Sequence, residues 1–164
     1  MEKEVKMENT MLKEKALDRY YTDELKLIST TLSEWREGMK KAQSWVEHDS
    51  YAISSNHLME KRIAIAFEAA QKFTDPSYRK KFYFDCLKWG IPYYEIKPAS
   101  VTFKFLHPRV SQMFKNACKG YAQAVNELIE SKRYDPEVQL DLMTNVVFFE
   151  KVERSLSFSI FRRS

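Results

Sequence analysis

The sequence predicts a mainly helical fold, and three observations carry that reading. Apolar residues recur at spacings of three and four over most of the chain. Gly38, Gly90 and Gly120 are the only glycines, and all five prolines follow residue 75, so the first half can run as long helices. The composition, 44% hydrophobic with eleven Phe, nine Tyr and three Trp, supplies enough large side chains to close a core. At 164 residues the chain is expected to form one domain, a bundle of about five helices with a small β-hairpin near residues 93–106. Residues 1–8, where charges alternate, are expected to be disordered.

Between residues 21 and 46 the apolar positions Tyr21, Leu25, Ile28, Leu32, Trp35, Met39, Ala42 and Val46 trace a narrow seam along one helix. Residues 10–20 also read as helical, and Thr22-Asp23 either caps a new helix or lies inside one continuous rod. A connecting loop is expected at 51–55. A second helix then starts within 54–57 and turns Met59, Ile63, Phe67, Ala70 and Phe73 inward.

A third helix has clear punctuation. Asp75 can cap it, Pro76 fits its first turn, and Trp89-Gly90-Ile91-Pro92 closes it with a glycine and a proline. Its inward row is Tyr78, Phe82, Cys86 and Trp89. From 93 the period changes: Tyr94/Ile96 and Val101/Phe103/Phe105 alternate around residues 97–100, which predicts the hairpin.

Pro108 starts a helix to about residue 132, with Val110, Phe114, Ala117, Tyr121, Ala124, Val125 and Leu128 on one face. Asp135-Pro136 repeats the cap-and-proline start for a last helix running into Val146-Val147-Phe148-Phe149. That stretch also favours strand, so 146–161 is open between the two, and the alternating tail 156–161 suits a strand beside the hairpin.

Several chemistries lack their residues. Three scattered glycines cannot build a phosphate-cradling loop, and no Gly-x-Ser-x-Gly elbow occurs. His57-Leu58-Met59-Glu60 is a single i, i+3 pair, whereas a di-iron bundle needs Glu-x-x-His twice with further carboxylates, so no metal site is expected. Cys86 and Cys118 each share an apolar row with aromatics and read as packed, reduced thiols. No cofactor is expected and the chain reads as a non-enzyme. The charged N-terminal residues and the longest uncharged stretch, 50–59, suggest neither a secretory leader nor a membrane span, and the expected location is cytoplasmic.

One feature rises above this background. Nine basic residues fall between 79 and 126 against two acids, Asp85 and Glu95, while the whole chain is only +4. On a helical wheel Arg109, Gln112, Lys115, Asn116, Lys119, Gln123 and Asn126 occupy the sector opposite the apolar face of the helix from 108. Cations and amides without a carboxylate are the side chains that neutralise phosphates and reach base edges. The candidate nucleic-acid-binding set is therefore Arg79, Lys80, Lys81, Lys97, Lys104, Arg109, Gln112, Lys115, Asn116 and Lys119. Tyr93, Tyr94, Phe103 and Phe105 are candidates for base stacking. The expected function is that of a non-enzymatic accessory or regulatory protein binding DNA or RNA. The alternative is a protein-interaction module, an adaptor, subunit or inhibitor, using the long N-terminal helix or the basic face. In that reading Trp35 and Trp45 are the anchors, and a homodimer is one form of it.

Overall fold

The computed structural model describes residues 1–98, 102–131 and 134–157, and among them six α-helices and no strand. These are α1 (Glu2–Lys41), α2 (Trp45–Ala70), α3 (Pro76–Tyr93), α4 (Thr102–Leu106), α5 (Pro108–Ser131) and α6 (Pro136–Ser157). They fall into two compact units, Met1–Ala69 and Ala70–Ser164. None of the helices is long and apolar enough to cross a membrane.

The first unit is an antiparallel helical hairpin. Its first arm is one rod of 40 residues, roughly 60 Å long, with Thr22 inside it and its hydroxyl donating to Asp18 Oδ1 at 3.3 Å. Residues 1–8 are exposed and lie on the first turns of this rod. The arms are pinned where the ring of Tyr51 covers Gly38 and where Arg62 Nε donates to Ser29 Oγ at 2.9 Å. Leu25, Ile28, Ile63 and Ala66 are buried.

The hairpin turns earlier than the seam predicts. The loop is residues 42–44 and α2 starts at Trp45, so residues 51–57, expected to be a loop and a helix start, lie well inside a helix. The cause is local. Ser44 Oγ accepts from the Glu47 amide at 3.1 Å, and Glu47 Oε2 accepts from the Gln43 amide at 3.3 Å, a variant of the reciprocal capping box. Val46, placed by its spacing on the first helix, belongs to the second and is exposed.

In the second unit α5 is central. Phe114, Ala117, Tyr121, Ala124, Val125 and Leu128 are buried as the wheel predicts, Cys118 is buried beside them, and Val110 is half-buried. α3 packs on one flank of α5 and α6 on the other. Both run antiparallel to it, as shown by Arg79 pairing with Glu127, by Tyr83 lying on Gly120, and by the Lys119–Glu153 contact at 3.7 Å. α6 is helical through 146–157; residues 158–161 of the expected tail strand lie outside the described residues.

The hairpin expected at 93–106 is not formed. Tyr93 ends α3, Tyr94 and Glu95 form a turn, and 102–106 is a short helix; residues 99–101, its expected tip, lie outside the described residues. Helical spacing places Phe103 and His107 on one side, with ring centroids 5.0 Å apart, and Phe103 joins Tyr94 and Phe114 in an aromatic cluster. Burying Phe103 there outweighs the alternation, and Phe105 is left exposed.

α3 also overruns its predicted stop at Gly90. It continues through Pro92 and ends in a Schellman motif: the Ile96 amide donates to the Ile91 carbonyl at 3.0 Å and the Glu95 amide to that of Pro92 at 3.2 Å. The left-handed residue this motif requires is Glu95, at φ 51°, where glycine is the unstrained choice. Ile96 follows it into the core, 4% exposed.

Two substitutions should move stability in opposite directions. Glu95→Gly removes the left-handed strain and is expected to stabilise by about 0.5–1 kcal/mol. Gly120→Ala places a methyl carbon 2.4 Å from Tyr83 Cε2. It should destabilise by about 1 kcal/mol net, the overpacking exceeding the gain in helix propensity. Urea unfolding followed by circular dichroism checks both signs.

Candidate nucleic-acid interface

α5 presents its polar sector to solvent. Arg109, Gln112, Asn116, Lys119, Gln123 and Asn126 are exposed and Lys115 is half-buried. Their spacing of three and four draws one stripe, and 17 residues of rise give it a length of about 25 Å. Within it Gln112 Nε2 donates to Asn116 Oδ1 at 3.0 Å, and the first carboxylate along the same sector is Glu127, which pairs with Arg79. Lys119 meets Glu153 of α6 at 3.7 Å, so its charge is partly offset.

The structure divides the ten candidate residues. Because α3 runs antiparallel to α5, Arg79, Lys80 and Lys81 lie beside the C-terminal half of α5, whereas Arg109 opens its first turn. Residues 109 and 127 are separated by about 27 Å of helix rise. Arg79 is held by Glu127 and donates to the Thr74 carbonyl at 3.2 Å; its side chain is 19% exposed, and it acts as an internal tie between α3 and α5. Lys81 lies over the ring of Phe82, 5.2 Å from its centroid.

The remaining cations gather at the other end of this unit. Lys97 follows α3, Lys104 is on α4, and Arg109 and Lys115 are on the first two turns of α5. The end of α6 joins them, since Ser155 Oγ donates to the Lys97 carbonyl at 3.2 Å. That contact brings in Lys151 and Arg154, both exposed, which sequence reading left out because they lie outside the basic segment. Lys88 on the last turns of α3 completes the group, and Glu95, Glu150 and Glu153 are the acids there. The signal that finds Lys151 and Arg154 is tertiary: two helices ending beside the start of a third.

Of the four candidate stacking rings, Phe103 is buried, Tyr93 and Tyr94 are half-buried, and Phe105 is 58% exposed. Tyr94 packs against Tyr93, Phe103, His107 and Phe114, with centroids 4.8–5.7 Å away. This cluster braces the basic end, and Phe105 is its outward ring.

The partner-binding candidates separate as well. Trp45 is 84% exposed and Val46 81%, both on the first turn of α2. Trp35 is half-buried and, with Val46 and Tyr51, lines a cleft of about 550 Å³ at the turn of the hairpin.

Among the described residues no group of three His, Cys, Asp or Glu side chains converges, and His57 and Glu60 are both exposed. Comparison of the chain with protein-family models, with curated proteins and with solved structures finds no match.

Both cysteines are free and buried in the interface of α3 and α5. Burial drives both thiols upward; Asp85 adds to the effect at Cys86, and Glu153 at Cys118, which is pushed up to about 12. A thiol that ionises later in the folded chain than in the unfolded one stabilises the fold below its ordinary value of 9.0, and that contribution is lost as pH climbs from there toward 12. Stability should therefore fall across this alkaline window, and less so in a Cys86→Ala/Cys118→Ala variant. Native protein near pH 8 should leave both thiols unreactive toward a chromogenic disulfide reagent until denaturant is added.

Proposed function

We propose that this chain is a non-enzymatic, nucleic-acid-associated accessory or regulatory protein of the cytoplasm that binds the phosphate backbone of DNA or RNA. The observation that carries the reading is the basic end of the second unit. Lys88, Lys97, Lys104, Arg109, Lys115, Lys151 and Arg154, from four helices and one connection, outnumber the acids beside them and continue into the carboxylate-free stripe of α5. Lysines and arginines at that density displace condensed counterions, and the amides of Gln112, Asn116, Gln123 and Asn126 add donors and acceptors along the same line. Arg79, Lys80 and Lys81, at the opposite end, are not part of this surface.

Fluorescence anisotropy of labelled single- and double-stranded oligonucleotides tests it. Four phosphate contacts predict affinity falling by tens of times to about a hundredfold between about 50 and 200 mM salt. Lys104→Ala, Arg109→Ala and Lys115→Ala should each weaken binding and lower the salt slope by about one contact, whereas Lys81→Ala should leave both unchanged. Absence of binding at the lower salt, or indifference to these three substitutions, overturns the reading.

A second reading, a protein-interaction module, is favoured by one specific observation: the open Trp45-Val46 pair at the hairpin turn beside the Trp35 and Tyr51 cleft. Tryptophan is the residue type that most often dominates interface energy. In its homodimer form this predicts a sedimentation coefficient that rises with protein concentration and a rise that Trp45→Ala abolishes. A monomer at every concentration removes that form.

A further inference from the structure

We propose that the cleft between α3 and α6, floored by Tyr121 of α5, binds a small monocarboxylate carrying an aromatic or acyl body. α3 and α6 each pack on α5 and meet each other where Phe84 lies edge-on to Phe149, ring centroids 6.3 Å apart, and a groove of about 350 Å³ opens beside that contact. That volume is near the lower end for ligand clefts, roughly 300–1,000 Å³. Its walls divide chemically: Phe84 and Leu142 are apolar, and Ser77, Lys80 and Asn145 are polar, with Lys81 at the rim.

Two features of the lining call for an anionic acceptor. Tyr121 is 1% exposed, and its hydroxyl accepts from Asn145 Nδ2 at 3.4 Å. Burial raises the Tyr121 phenol above its ordinary value, so it keeps its proton, and that proton has no acceptor among the described residues. A buried donor left unused is costly and is normally satisfied by a partner. Lys80, half-buried on the same lining, has no acidic partner among the described residues. A carboxylate between them accepts from the phenol and from the ammonium together, while its apolar body lies on Phe84 and Leu142.

The head group is a monoanion rather than a phosphate. Asp75 Oδ1 accepts from the Ser77 backbone amide at 2.8 Å, which uses a donor that a phosphate would need and sets a negative charge at the start of α3. Among the described residues no arginine fork or glycine loop lines the cleft.

The test uses the full chain, labelled with nitrogen-15, and three probes: 4-phenylbutyrate, 4-phenylbutylamine and inorganic phosphate. Phenylbutyrate should shift the backbone amide resonances of Ser77, Lys80, Phe84, Tyr121 and Asn145 saturably, and the amine and phosphate should bind at least about tenfold more weakly. Tyr121→Phe should weaken phenylbutyrate roughly threefold to tenfold, as expected for one hydrogen bond. Lys80→Gln, at a half-exposed position that the fold does not need, should weaken it about fivefold and keeps the test decisive if the Tyr121 variant fails to fold. Equal binding of the amine, phosphate matching phenylbutyrate, or Lys80→Gln binding as tightly as the parent overturns the proposal. Lys115→Ala, on the basic end, should leave this affinity unchanged, which separates the cleft from the nucleic-acid reading.

Discussion

The second unit depends on how closely α3 can approach α5. Ala117, Gly120 and Ala124 give that flank of α5 a shallow surface, and the ring of Tyr83 rests directly over Gly120, where any Cβ would meet it. That closeness buries Phe82, Cys86, Ala117 and Cys118 to 1% exposure or less and lets Arg79 reach Glu127 across the pair. It also explains why a glycine persists in mid-helix despite costing about 1 kcal/mol against alanine. The first unit repeats the device, with Tyr51 over Gly38. In both units a tyrosine ring fills the space that a side chain at the facing position would occupy, and this fixes the register of the two helices.

The same architecture determines where charge is presented. α5 is covered by α3 and α6 on two flanks and touched by α4, and among the described residues its solvent side carries Arg109, Gln112, Asn116, Lys119, Gln123 and Asn126. Antiparallel packing then sorts the basic segment by position. Its first three members go to the end where Glu127 waits for Arg79, and its later members go to the end where α6 delivers Lys151 and Arg154. Linear charge density is therefore a poor map of surface potential here. The positive end of this unit is assembled by helix direction.

Legibility followed the range of the interaction. The α5 face was readable because seven residues on one helix report the same period, and the starts of α3 and α6 were readable because Asp75-Pro76 and Asp135-Pro136 act within one turn. The α1–α2 turn was equally local, in Ser44-Trp45-Val46-Glu47, but it was masked: Ala42 and Val46 continue the three-and-four spacing of the first helix across a loop of three residues. The missed hairpin has another cause. Alternation over Val101, Phe103 and Phe105 is real, yet Phe103 is claimed by Tyr94 and Phe114, partners that the spacing of neighbouring residues cannot announce. The α3/α6 cleft was invisible for the same reason, since its floor and its two walls come from helices far apart in the chain.

The placement of Arg109 bears on whether the basic end exists only for folding. A cation near a helix C-terminus offsets the negative end of the macrodipole, and Arg154 in the last turn of α6 does so. Arg109 does the reverse. It occupies the first turn of α5, the positive end of that dipole, in a turn that carries no acidic residue, so local electrostatics oppose it by some tenths of a kcal/mol. The other starts with such proline punctuation are built conventionally: Asp75 caps α3, and Glu137 lies in the first turn of α6. A cation kept where the helix disfavours it, exposed and beside Lys104 and Lys97, adds nothing to the packing of α5. Its charge adds instead to the positive field at this end of the second unit.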